Sequence, residues 1–233
     1  MKLSQAFPYS ARNDIIEANK PDRIIMFGGE LGLIWVVAHS DLVKHDGYDN
    51  AHSLPLGNLL GEGDNEFTKE VKIPLNPDNV FLAGIEETTE KEIEMIQRLG
   101  IRTASTKELE LETGTESINK WIIENEIKHL AIHLDLDVLD PKAFRSLLFA
   151  NPDLEEDIGF PTGIMQFPQL INLIKKLSEK TDVVGLSITE HLPWDSINIK
   201  NMLKEWIYVK ILDTKRLSFF LHNHHSGSVP HPK

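Results

Sequence analysis

"HLAIHLDLDVLDP", residues 129–141, sets carboxylates into an otherwise apolar stretch. Ile132, Leu134, Leu136 and Val138 alternate with His133, Asp135 and Asp137, which is the period-2 pattern of a β-strand. The pattern stops at Asp140-Pro141, because proline cannot donate to a central ladder. On such a strand Asp135 and Asp137 share a face, with Cα atoms roughly 6–7 Å apart. Two carboxylates that close in a poorly solvated place repel, so one takes a proton or a cation sits between them. The stretch therefore predicts a buried strand and a cation site at its end.

Working outward, "RIIMFGG" (23–29), "LGLIWVVAHSDL" (31–42), "NVFLAGI" (79–85) and "DVVGLSITEHLP" (182–193) are apolar runs of buried-strand character. Between them lie helical patterns. "EETTEKEIEMIQRLG" carries Ile93, Ile96 and Leu99 on one face, with Gly100 as C-cap. "SINKWIIENE" (117–126) feeds the aspartate strand, and "FPQLINLIKKLSEK" (167–180) places Leu170, Ile174 and Leu177 on one stripe. Strands alternating with helices predict a mostly parallel sheet covered on both faces, an αβα sandwich. Ligands of such sheets bind beyond the carboxyl ends of the strands, where Asp41, Asp137 and Glu190 fall.

The composition bounds the function. A 233-residue chain with 41% hydrophobic and 26% charged residues has globular, not disordered, composition. Its formal charge of −12 disfavours nucleic acid or an anionic membrane as partner. The absence of cysteine excludes thiolate metal sites, disulfides and a cysteine nucleophile. The first residues lack the apolar core of a secretory signal, and no apolar run approaches the ~20 residues that span a bilayer. A soluble, cytoplasmic protein is the expectation. "DNAHSLPLGNLLGEGDNEF" (49–67) reads as a structured functional loop, and the histidine-rich end "LHNHHSGSVPHPK" as a frayed tail.

Three strand ends supply candidate ligands: His39 and Asp41 in "AHSDL", Asp135 with Asp137, and Glu190 with His191 in "ITEHLP". His39 and Asp41 share a face if the strand persists. An oxygen-rich set with one imidazole suits Mn²⁺, Mg²⁺ or Fe²⁺ better than structural zinc, and a bound cation would acidify a water. Each element alone has a plainer reading. H-x-D often finishes a strand as a loop cap, loop aspartates cap helices, Glu190 could be a surface residue, and His52 could bond within its own loop. Their order along the chain moves the balance towards chemistry.

That order resembles the arginase/agmatinase (ureohydrolase) superfamily, from about Pro21 to about Lys204. "GGEL" (28–31) resembles the family's "GGDH", "VAHSD" (37–41) its "DAHxD", and "HSLPL" (52–56) its "HGMPL". "HLDLDVLDP" (133–141) resembles its "SxDxDxxDP", and "GLSITEHLP" (185–193) its late glutamate strand. The resemblance implies a three-layer αβα fold and two Mn²⁺ ions bridged by water or hydroxide. It implies hydrolysis of guanidino or amidino C–N bonds with release of urea. It makes His39, Asp41, Asp135 and Asp137 metal ligands, His52 the loop histidine that moves protons, and Glu190 the carboxylate that pairs with the guanidinium. Family members commonly assemble as trimers or hexamers, so a homo-oligomer is admitted.

Two departures shape the expectation. The family's first aspartate in "DAHxD" bridges both metals, and here the position is Val37. The histidine after "GGD" is missing as well, because Glu30 runs directly into "LGLIWVV". The helix between these strands is therefore expected to be deleted, and because a parallel crossover needs about a dozen residues, either "RIIMFGG" is not a proper parallel neighbour or the local topology is altered. Glu30 reaches further than an aspartate and is a conceivable substitute ligand. The organisation expected is an N-terminal segment (1–20), a domain over 21–204 with a truncated N-terminal part, and a divergent, partly disordered tail (205–233). The function expected is an arginase-like hydrolase of a small guanidino substrate, holding one Mn²⁺ tightly and a second weakly or not at all. The alternative is a catalytically silent relative that serves as a binding or assembly subunit, or a decayed copy.

Overall fold

Leu31–Val36 forms strand β1, and all of its residues are buried. A strand so apolar on both faces needs a neighbour on each edge and a layer above and below. The computed structural model, which describes residues 30–44, 54–86, 88–151, 162–192 and 219–221, supplies both. β2 (Val80–Ala83) pairs with one edge of β1 and β4 (His129–Asp135) with the other. β3 (Arg102–Ala104) lies outside β2, β5 (Asp182–Thr189) outside β4, and β6 (Phe219–Leu221) outside β5. The order is β3-β2-β1-β4-β5-β6, and every pairing is parallel. Residues 23–29 lie outside the described residues. β6 draws on residues that the sequence assigned to the tail.

The helices are α1 (Pro55–Leu59), α2 (Asn65–Thr68), α3 (Glu90–Leu99), α4 (Thr106–Glu110), α5 (Glu112–Glu124) and α6 (Phe167–Lys180). α1 and α3 cover one face, where Leu56, Leu60, Ile96 and Leu99 meet Leu33, Trp35, Val80 and Leu82. α5 and α6 cover the other, where Ile118, Trp121, Leu170 and Ile174 meet Ile34, Val36, Phe81 and Ile132. Three layers result, with a core on each side of the sheet. The chain builds outward from β1 to β3 under one helical layer, then returns to β4 and β5 under the other. Right-handed crossovers require that change of face when the direction reverses. The reversal leaves a crevice between the carboxyl ends of β1 and β4.

α3 shows how local sequence sets an element. Thr89 and Glu92 form a reciprocal capping box at its start, and Gly100, at φ 68°, ends it in the left-handed conformation that glycine adopts without a Cβ clash. Its inward stripe differs from expectation. Ile96 and Leu99 pack inward with Met95, but Ile93 is 40% exposed and Glu92 is buried in its stead. The reason is polar: Glu92 has a partner inside, as described below.

Candidate metal centre

β4 ends at Asp135, earlier than the sequence pattern implies. Leu136–Val138 form a single 3₁₀ turn, and Asp135 caps it by accepting from the Asp137 amide at 2.9 Å. Asp135 and Asp137 therefore do not share a strand face, which corrects the first expectation. The alternation continues through the turn because its apolar residues, Leu136 and Val138, are also buried. The two carboxylates nevertheless stay together, because the turn folds the chain back over the strand end.

β1 also stops short of its candidate ligands, at Val36. His39 and Asp41 lie in the following loop and not on one strand face, a second correction. That loop is pinned from several sides. The Ala38 amide donates to Asp137 Oδ1 at 3.0 Å, and His39 Nδ1 lies 2.6 Å from Asp137 Oδ2. Trp35 Nε1–H donates to Asp41 Oδ2 at 2.9 Å, and Ser40 Oγ donates to the buried Glu92 Oε1 at 2.6 Å. The Gly57 amide donates to the Asp41 carbonyl, and a Cβ on Gly57 would lie 2.6 Å from the Leu42 carbonyl oxygen. Only a glycine lets α1 approach this loop so closely.

Backbone strain concentrates here. Asp41 and Glu190 sit at φ 54° and 58°, and Glu126 at φ 51° is the only other described non-glycine residue with positive φ. A left-handed aspartate or glutamate is uncommon, costs of order 1 kcal/mol, and persists where its surroundings fix it.

His39, Asp41, Asp135 and Asp137 thus meet in the crevice between β1 and β4, and Glu190, at the end of β5, is near enough for its charge to act on Asp41 and Asp135. Burial pushes the Asp41 carboxyl up to about 8, and the charges of Asp137 and Glu190 add to the rise. Burial likewise raises Asp135 well above the usual carboxylate range, helped by Asp137, Glu190 and Asp41. Burial holds His133 neutral by lowering it to about 3. A cation is what such a set lacks. Its chemistry, carboxylates plus one imidazole, suits a hard divalent ion. The side chains are not yet splayed around a common point, and no group of at least three acidic or histidine side chains among the described residues is arranged as a metal shell. His39 and Asp137 hold each other, and Asp41 is turned towards Trp35. The set fits a hard divalent ion by donor type, three carboxylates and one imidazole.

Two further expectations meet the structure here. Glu30 lies at the amino end of β1, ion-paired with Lys128, at the pole opposite Asp41. It cannot substitute as a ligand. Val37 is fully buried in the apolar cluster of Trp35, Leu42 and Leu56. His52 lies outside the described residues. Trp35, Ser40, Glu92 and Thr189 have no signature in the sequence, because each acts on the site through a contact across strands or loops.

The raised carboxyls make a pH prediction for the metal-free protein. A carboxyl whose folded pKa exceeds its unfolded one binds more protons folded than unfolded, so stability falls as pH rises towards the folded value. His133, with a lowered folded pKa, acts oppositely, but only below its ordinary value of 6.5. Between pH 6.5 and pH 8 Asp41, raised to about 8, makes a contribution that falls as pH rises. In chelator, Tm falls across that interval and added Mn²⁺ restores it. Melting curves that stay flat or rise would contradict the electrostatic account.

Comparisons with known proteins show the family and the fold. Residues 19–207 match the family described as the arginase family. The arginase of Staphylococcus aureus (strain COL) is 33% identical over 121 residues, which cover 48% of this chain and 38% of that protein. The arginase of Bacillus caldovelox is 30% identical over 117 residues, covering 48% and 39%. The chain therefore aligns with well under half the length of these relatives. Entamoeba histolytica arginase in complex with L-ornithine superposes with a TM-score of 0.63 at 19% identity, over 88% of this chain and 66% of that one. Bacillus subtilis formimidoylglutamase superposes with a TM-score of 0.58 at 15% identity, over 88% and 56%. At these identities the structures establish the fold.

Proposed function

The chain belongs to the arginase family, and from that premise we propose that it is a metal-dependent hydrolase of guanidino or amidino C–N bonds, with a site reduced to one tightly held Mn²⁺. The observation that supports this most is the meeting of His39, Asp41, Asp135 and Asp137 at the sheet's switch point. His39, Asp135 and Asp137 are our assignment for the ion, and Asp41, with a share of Asp135, for a second and weaker one. Bound there, the ion would supply Lewis acidity and an acidified water. The chain supplies the rest. The Ala38 amide and the Asp137 amide orient the carboxylates, and the apolar walls of β1 and α1 keep bulk water away.

Glu190 is our assignment for the guanidinium anchor, since a planar cation pairs best with a bidentate carboxylate. His52 is the candidate proton carrier to the departing amine. Glu190→Gln should weaken binding of arginine-like ligands about tenfold or more, on the scale of a lost charge-assisted contact of 1.5–3 kcal/mol, and leave metal stoichiometry unchanged. Loss of the metal in that variant would make Glu190 a ligand instead. The absence of cysteine suits the cytoplasm, and no described helix is long and apolar enough to cross a membrane.

Val37 favours a second reading. With the bridging position filled by a buried valine, the chain could persist as a silent relative that binds a guanidino compound or assembles with other copies. Urea release from a panel of guanidino compounds, with Mn²⁺ present and after chelation, separates the two. Slow, Mn²⁺-dependent release supports the hydrolase. No release from any compound, with Mn²⁺ bound, supports the silent reading.

A further inference from the structure

Trp35, His133 and Ser187 are direct register partners on β1, β4 and β5. Such partners carry their side chains on one face of the sheet. Here they form one connected row. The Trp35 and His133 rings stack with centroids 3.6 Å apart and planes inclined by 16°. His133 Nδ1 lies 2.8 Å from Ser187 Oγ. Thr189, the register partner of Asp135, brings its hydroxyl 3.0 Å from Asp135 Oδ2 and 3.4 Å from His133 Nε2. At the other end of the row the Trp35 indole donates to Asp41 Oδ2.

The hydrogens of this row have one consistent direction when Asp135 is ionised, as a ligand must be. The carboxylate only accepts, so the Thr189 hydroxyl donates to it. Having spent its single proton, the hydroxyl accepts from His133 Nε2–H. His133 Nδ1 then carries the lone pair and accepts from the Ser187 hydroxyl. The stack on Trp35 fixes the ring plane that this chain needs. A side chain without a donor at 189 would leave Oδ2 unheld, and one without the indole N–H at 35 would release Asp41.

We propose that Trp35, His133 and Thr189 are positioning residues that hold the Asp135 carboxylate through a stacked, hydrogen-bonded row across β1, β4 and β5, with the Trp35 ring fixing the plane of His133. The inference rests on the metal reading above and extends it to residues that touch no ion. Partners of ligands in other metal sites alter affinity by 10–100-fold when removed. Thr189→Val keeps the shape and removes the donor, Thr189→Ser keeps the donor, and Trp35→Phe keeps an aromatic ring and removes the N–H. Mn²⁺ titration calorimetry on the full chain reads the affinity, and the Trp35 indole N–H resonance in the metal-free protein reads the contact to Asp41.

The expected result is a tenfold or greater loss of affinity for the tightly held Mn²⁺ in Thr189→Val, near wild-type affinity in Thr189→Ser and in Trp35→Phe, which keeps the ring under His133, and an indole N–H resonance that shifts in Asp41→Asn. A folded Thr189→Val protein that binds Mn²⁺ as wild type does would overturn this inference alone. A wild-type protein that binds no Mn²⁺ would overturn the metal reading and this inference with it.

Discussion

Replacing Asp135 and Asp137 together with asparagine takes Mn²⁺ binding below detection and raises the Tm of the metal-free protein. Both effects follow from the same carboxylates. They stand in a poorly solvated crevice with Asp41 and Glu190 close by, so their ionised forms repel one another. Asparagine removes the charge and still satisfies the local hydrogen bonds. At 135 its carbonyl accepts from the Asp137 amide, and its NH₂ donates to the Thr189 hydroxyl once that rotor turns. At 137 its carbonyl accepts from the Ala38 amide, and its NH₂ faces His39 Nδ1. Relief of about 2 kcal/mol is reasonable for one buried repulsion, which corresponds to about 4–8 °C in a domain of this size. The gain grows as pH rises, because burial and neighbouring charge hold the wild-type Asp135 carboxyl well above the usual carboxylate range and ionising it there is unfavourable. A double variant that retains its metal would remove these aspartates from the ligand set. One with lowered Tm would show that the carboxylates stabilise the apo fold.

The second large effect is expected at Val37. Val37→Asp puts a carboxylate into the apolar cluster of Trp35, Leu42 and Leu56. An unpaired buried charge of that kind costs about 3–5 kcal/mol, so metal-free Val37→Asp melts on the order of 10 °C lower than wild type. Mn²⁺ reverses much of the loss, because an ion that binds only the folded state adds RT ln(1 + [L]/Kd), about 2.7 kcal/mol at a hundredfold excess over Kd. The Mn²⁺-induced rise in Tm is therefore larger in the variant than in wild type, and metal content rises above one per chain. Equal shifts in both proteins would mean that position 37 does not face the ions.

Much of this architecture can be read from residues alone, and its misreadings have physical causes. Period-2 alternation finds β4, but cannot tell a strand's last residues from a 3₁₀ turn whose apolar residues are also buried, so Asp137 was expected on the strand. The 3.6-residue period finds α3 and places Ile93 inward. It cannot anticipate that Glu92, with Ser40 and Thr89 as partners, holds the buried position instead. His39 and Asp41 are legible as site candidates by type and spacing, whereas their left-turned loop is not, since a positive φ at aspartate has no sequence signal. The row from Trp35 to Thr189 depends on strand register, which a single chain's pattern leaves open. Glu30 is instructive in the opposite sense: its motif resembles a strand end, yet it begins β1 at the pole away from the site.

The number of ions the crevice holds separates a one-ion site from a bridged pair. The most direct measurement is elemental analysis of the full chain, loaded with Mn²⁺ and then dialysed exhaustively. One Mn²⁺ per chain is the result expected from His39, Asp135 and Asp137 acting without a bridging carboxylate. Two per chain would mean that another residue has taken the place of the lost bridge, and none would mean that these aspartates no longer serve a metal.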